Sequence, residues 1–176
     1  MRLFGRLTLI GLVVMVAAGF WLNQSQPAVK NNDTATVSEG QCASSGISVV
    51  IDYGTDSDLD LVEKCVWNYT GNSWNLLKLS GLEITGTQKY PAGFICRINN
   101  IPGPETEKCI DTPGAKNGSW AYFLAEPGSK NWTYSSFGAA SRKAKCGWAE
   151  GWRFLQQSEA LNTPPRAKPV TSTCEK

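Results

Sequence analysis

The stretch Gly46-Ile47-Ser48-Val49-Val50-Ile51-Asp52-Tyr53 is β-branched and almost continuously apolar. That pattern predicts a central strand covered on both faces rather than an edge strand with one wet face. Residues 59–67 alternate well enough to form a second strand after the turn Gly54-Thr55-Asp56-Ser57, so the two are expected to pair as a hairpin. Asn72 or Ser73 can cap a short helix carrying Trp74, Leu76, Leu77 and Leu79, and Gly81 supplies its left-handed stop. Segments 82–90 and 94–99 read as further strands joined across Pro91-Ala92-Gly93. The order strand, strand, helix, strand, strand predicts a small α+β domain with a sheet on one short helix.

Further along, the pattern turns aromatic. Trp120 and Tyr122 stand two apart, as do Trp132 and Tyr134, and Trp152 and Phe154, so each pair is expected on one face of its strand. Pro127-Gly128-Ser129-Lys130 reads as the hairpin loop between the first two pairs. If all six rings shared one surface, they would exceed what one helix covers, and some would reach solvent. Rings exposed on a rigid sheet suit a flat ligand or a partner's edge, with Ser135, Ser136 and Glu150 as nearby hydrogen-bonding groups. The competing reading is that the rings are core, which a domain this small needs.

The N-terminus has a different character. Residues 7–22 are apolar and uncharged, follow Arg2 and Arg6, and end at Asn23-Gln24-Ser25-Gln26, the layout of an export signal. Sixteen residues make roughly 24 Å of helix against a hydrocarbon core of roughly 30 Å. Ala17 and Gly19 fit a cleavage site, so residues 1–23 are expected to act either as a cleaved signal peptide or as a signal anchor. The remainder is then extracytoplasmic, secreted or held in the cell membrane. Six cysteines in an exported chain read as disulfides.

Composition divides the rest into a linker at 24–40, a domain at 41–155 and a polar tail at 156–176, the flanks being rich in Asn, Ser, Thr, Pro and Lys. Of the 17 basic residues, Arg2 and Arg6 lie in the export segment, so the remainder balances 15 basic against 15 acidic side chains. A neutral domain lacks the concentrated basic footprint that nucleic acid requires. Arg142, Lys143 and Lys145 form a small basic cluster that reads as a solvated loop, and so do the acidic residues Glu105, Glu107 and Asp111.

The chain contains no histidine, which removes the usual general base and the usual zinc ligand, and cysteines committed to disulfides supply no thiolate. No catalytic constellation can be assembled, so a non-enzymatic role without cofactor or resident metal is expected. Asp56, Asp58 and Asp60 make an Asp-x-Asp-x-Asp run but lack the glycine and distal glutamate of a calcium loop, so the run reads as a solvated turn.

The string 46–53, Gly86-Thr87, Phe94-Ile95-Cys96-Arg97-Ile98-Asn99, Trp120-Ala121-Tyr122, Trp132-Thr133-Tyr134-Ser135-Ser136 with Gly138-Ala139, and Glu150-Gly151-Trp152 together resemble a secreted actinobacterial domain. That domain is similar in turn to the C-terminal β-domain of transcobalamin. The resemblance implies a β-grasp-like fold, often displayed at the cell surface, in some members an association with corrinoid or cobalt uptake systems, and no catalytic residues. Cys146, Cys174 and everything from Leu155 onward depart from it. Six cysteines allow fifteen connectivities, and sequence alone does not choose among them. Nearness along the expected elements favours Cys42 with Cys65, Cys96 with Cys109, and Cys146 with Cys174. Two roles follow: a module binding a corrinoid or other small molecule on a face made by Trp120, Tyr122, Trp132, Tyr134, Ser135, Glu150 and Trp152, or a domain that binds another envelope protein or serves structurally with no such ligand.

Overall fold

The computed structural model describes residues 34–55 and 57–174. The expected export segment lies outside them, and so does Asp56 of the acidic run. In chain order the elements are β1 (Thr36–Glu39), β2 (Ile47–Asp52), β3 (Val62–Trp67), α1 (Ser73–Leu79), β4 (Ile84–Gly86), β5 (Ile95–Ile98), a 3-10 turn (Ala115–Asn117), β6 (Ser119–Ala125), β7 (Thr133–Tyr134) and β8 (Ala149–Leu155). Among the described residues this is an α+β unit, mostly sheet with one short helix, and no helix is long and apolar enough to cross a membrane.

β2 is buried at all six positions, as its continuous apolar content requires. It pairs antiparallel with β3 on one side and parallel with β8 on the other. The six-stranded sheet runs β1-β3-β2-β8-β6-β7, and β4 with β5 forms a separate antiparallel pair. Alternation along the central strands sends Ile47, Val49, Ile51, Trp120, Tyr122, Trp152 and Phe154 to the helix side, where they pack with Trp74, Leu76 and Leu77 of α1. Asn72 caps that helix, its side chain accepting from Asn75 N at 2.9 Å, and Gly81 takes the left-handed conformation (φ +81°) that stops it.

The opposite face is covered by the C-terminal residues. Arg166 brackets Asp52 with its guanidinium and its backbone N–H, Ser48 Oγ donates to Val170 O at 2.7 Å, and Ser172 N donates to Gly147 O at 3.0 Å. Trp132 Nε1 donates to Ala167 O at 2.7 Å. Gly151 is where this layer comes closest: a Cβ there would sit 3.0 Å from both Pro165 and Trp132. Residues expected to form a loose polar tail therefore form a strap across the second face, and its end is bonded to the domain through Cys146–Cys174. The other bridges are Cys42–Cys65 and Cys96–Cys109, with Cα–Cα separations of 4.8 and 5.8 Å. All three pairings match the proximity reading. Three intramolecular disulfides are typical of extracytoplasmic proteins.

Four further expectations need correction. Thr36–Glu39, placed in the linker, is a strand paired with β3 and tied by the Lys64–Glu39 ion pair; its side chains are all exposed, so no burial pattern marked it. The second strand begins at Val62, the partner of Ile51, because β2 ends at Asp52 and leaves 59–61 nothing to pair with. The third, expected over 82–90, covers only Ile84–Gly86, since Gln88 and Lys89 turn to the carbonyls of Cys109 and Ile110 instead of β5. Glu107, read as part of a wet loop, is buried and accepts from Cys109 N and Asn117 Nδ2.

Asp52 carries a pH consequence. Burial pushes its carboxyl up, but the hydrogen bonds from Arg166 and Gly54 and the charge of Arg153 outweigh it and hold the pKa below the usual value. A depressed folded pKa gives stability that is fully present above the unfolded value of about 3.9 and is lost as pH falls through the folded one. Urea unfolding measured from pH 7 down to pH 2 should therefore weaken below about pH 4, and D52N should flatten that dependence. An acid limb of the same steepness in D52N would contradict this.

Candidate functional site

β6 and the chain that follows β7 build a cleft on the helix side of the sheet. Ser135 N donates to Tyr122 O at 2.8 Å, extending the β6–β7 pairing by one residue. Ser135 Oγ then donates to Phe137 O and accepts from Phe137 N, which folds the chain into a tight turn. The next residues dock on the start of α1, where Trp74 N donates to Ala139 O and Ser73 N to Arg142 O. Phe137 is left 63 % exposed and Tyr134 48 % exposed. Between this turn, Phe94, Ile95 and β6 lies a cavity of about 360 Å³ floored by Trp120, Tyr122 and Trp152.

The floor is packed ring on ring, and the polar tips of Trp120 and Tyr122 are already engaged. Tyr122 and Trp152 stack at 4.4 Å, and Trp120 meets Tyr53 edge-on at 5.7 Å. Trp120 Nε1 donates to Ile101 O at 2.8 Å. The Tyr122 hydroxyl donates to Glu150 Oε2 at 2.8 Å and lies 2.9 Å from Ser73 Oγ. What the floor offers a ligand is therefore ring surface.

Glu150 lies beside this floor on the same face of β8, fully buried, with Arg142 Nη1 2.5 Å from Oε1. Burial pushes the Glu150 carboxyl up, opposed by Arg142, Ser73 and Tyr122. Burial and then the Glu150 charge raise the Tyr122 hydroxyl, and the same two causes push Tyr69 up to about 12. Arg142, expected in a solvated loop, is only 8 % exposed and stacks on Trp148 at 4.7 Å. A second cavity, of about 620 Å³, is walled by Arg142, Lys143, Lys145, Trp148 and the same 134–137 segment.

The expected ligand face is thus divided. Trp120, Tyr122, Ser135 and Trp152 come together around one cleft, and Tyr134 borders it from β7 while its ring packs edge-on against Phe123 on the strap side. Glu150 holds the Tyr122 hydroxyl from the side and does not line the cleft. Trp132 is on the other side of the sheet, packed with Ala121, Phe123 and Leu155 under the strap, so the six rings do not share a surface. The register Phe123↔Tyr134 explains this, because it sets the Trp132–Tyr134 parity with the strap-side residues of β6. Phe94, Phe137 and Arg142 were missed as site residues. Phe137, flanked by small residues in Ser135-Ser136-Phe137-Gly138, was the one legible cue. Among the described residues, no group of three or more Cys, Asp or Glu is arranged to hold a metal ion.

No known family, curated protein or solved structure matches the chain.

Proposed function

We propose that the protein is an exported, non-catalytic binding module that receives a small, flat, largely apolar ligand in the cleft beside β6. The observation that carries this reading is the exposure of Phe137 at the mouth of a cavity whose floor is a locked aromatic stack. A preformed apolar site of this kind binds without first ordering its own side chains. The β-grasp-like, transcobalamin-related reading is supported by the parallel pairing of β2 with β8 and by the helix that follows the β2–β3 hairpin. At about 360 Å³ the cleft is near the small end of the roughly 300–1,000 Å³ range of ligand pockets. A corrinoid would lay one edge of its ring into it without being enclosed. The three disulfides support secretion or display outside the cytoplasm.

Titration of the full-length chain with cobinamide, cobalamin and a neutral naphthyl probe, followed by tryptophan fluorescence and by corrinoid absorbance, tests the reading. At least one of the three should bind, and F137A should weaken that binding ten- to hundredfold, since burying a Phe side chain contributes about 1.5–3 kcal/mol. Absence of binding by all three at millimolar concentration would overturn it and favour the reading in which Phe137 and Tyr134 meet the edge of another envelope protein.

A further inference from the structure

The cavity of about 620 Å³ on the other flank of the 134–137 segment differs in chemistry from the apolar cleft. Its wall carries Arg142, Lys143 and Lys145 against a single carboxylate, Glu126, together with Ser136 and Trp148. Arg142 and Lys145 both stand over the Trp148 ring, at 4.7 and 5.0 Å, so one ring collects two cations at the wall of the cavity. Arg142 is balanced from below by Glu150 through Nη1, while its Nη2 is buried without a hydrogen-bond partner. Neither Lys143 nor Lys145 is in an ion pair among the described residues. With Arg142 and Glu150 cancelling, two lysine charges face Glu126 alone, so the wall keeps a positive surplus. Gathering like charges is unfavourable unless an anion completes the arrangement.

We infer that this cavity is a binding site for a phosphate monoester attached to an aromatic or other flat apolar group. A phosphate monoester carries about −1.5 to −2 charge near neutral pH and three acceptor oxygens. That charge offsets two lysines, and the oxygens can accept from both ammonium groups, from the Ser136 hydroxyl and from an Arg142 N–H. A carboxylate carries half that charge and one acceptor fewer. The exposed ring of Phe137 borders the same cavity and would cover the apolar part of the ligand. Because the charged wall is independent of the apolar cleft, the inference stands or falls apart from the function proposed above.

The experiment is calorimetric titration of the full-length chain, disulfides intact, with phenyl phosphate, benzoate and phenol. Phenyl phosphate should bind at least about tenfold more tightly than the other two, as charge-assisted hydrogen bonds require. K143A/K145A should weaken it at least about tenfold, while K108A/K116A, which removes the same charge outside this cavity, should leave it unchanged. Both double variants alter exposed lysines, so circular dichroism and the melting temperature can confirm that the fold is retained. Equal binding of phenol or benzoate, an unaffected K143A/K145A, or an equal loss in K108A/K116A would each overturn the assignment.

Discussion

Glu150→Ala is expected to remove about 3–5 kcal/mol of unfolding free energy, the cost of leaving one partner of a buried ion pair alone. Glu150 has no exposed surface and Arg142 is stacked on Trp148 directly above it. Without the carboxylate, a buried guanidinium loses its counter-charge, and the Tyr122 hydroxyl loses the acceptor that orients it. The loss should appear in urea unfolding followed by tryptophan fluorescence. R142M should also be destabilising, and R142M/E150M should recover much of the loss, because replacing both charges by apolar groups removes the uncompensated one. An E150A protein within about 1 kcal/mol of the parent would mean that the pair is not the brace between the two cavities that its geometry describes.

Removing the last disulfide should have the next largest effect. Cys146–Cys174 closes a loop with a sequence separation of 28, for which the loop-entropy relation gives about 3–4 kcal/mol. The C146S/C174S protein should lose about that much. Its first symptom should be local: amides of 165–173 should exchange faster while those of β2 and α1 stay protected, since the strap is the layer released. A dye that reports exposed apolar surface should bind the uncovered face formed by Ala121, Phe123, Trp132 and Leu155. If exchange in 165–173 is unchanged, the polar bonds of Arg166, Ser48 and Trp132 hold the strap by themselves.

The legible parts of the fold were those in which side-chain chemistry dictates structure. β2 declared itself through an unbroken apolar run, α1 through Asn72 and Gly81, and the bridges through cysteines close along the chain. The strap was not legible. It docks partly by offering backbone carbonyls, those of Ala167, Lys168 and Val170, to the side chains of Trp132, Gln41 and Ser48, and partly through the ion pairs Arg166–Asp52 and Glu159–Arg153, whose partners lie far apart or out of pattern in the sequence. Nearly any residue can offer a carbonyl, and the charges of Glu159 and Arg166 read as those of a solvated tail until Arg153 and Asp52 are placed beside them. β1 is held by backbone pairing with exposed side chains and was hidden for a similar reason.

The site divided along the same line. A spacing of two places Trp132 with Tyr134 but does not say which face that pair shares with Trp120, because that depends on the register between strands. Arg142 read as solvated because its partners, Glu150 and Trp148, become neighbours only when the turn at 138–142 docks on α1. The aromatic floor could be anticipated from composition. The charged chamber beside it depended on three-dimensional proximity.

The bond from Cys146 to Cys174 also makes a covalent ring that contains β8 and the strap. Its outward part includes Ala160 and Leu161, both well exposed and outside any strand or helix. A protease cutting there would open the ring without dividing the molecule, because each fragment would still be joined to the other through sulfur. Wherever the bridge stays oxidised, a chain nicked there keeps its two fragments, and with them both cavities, in one molecule.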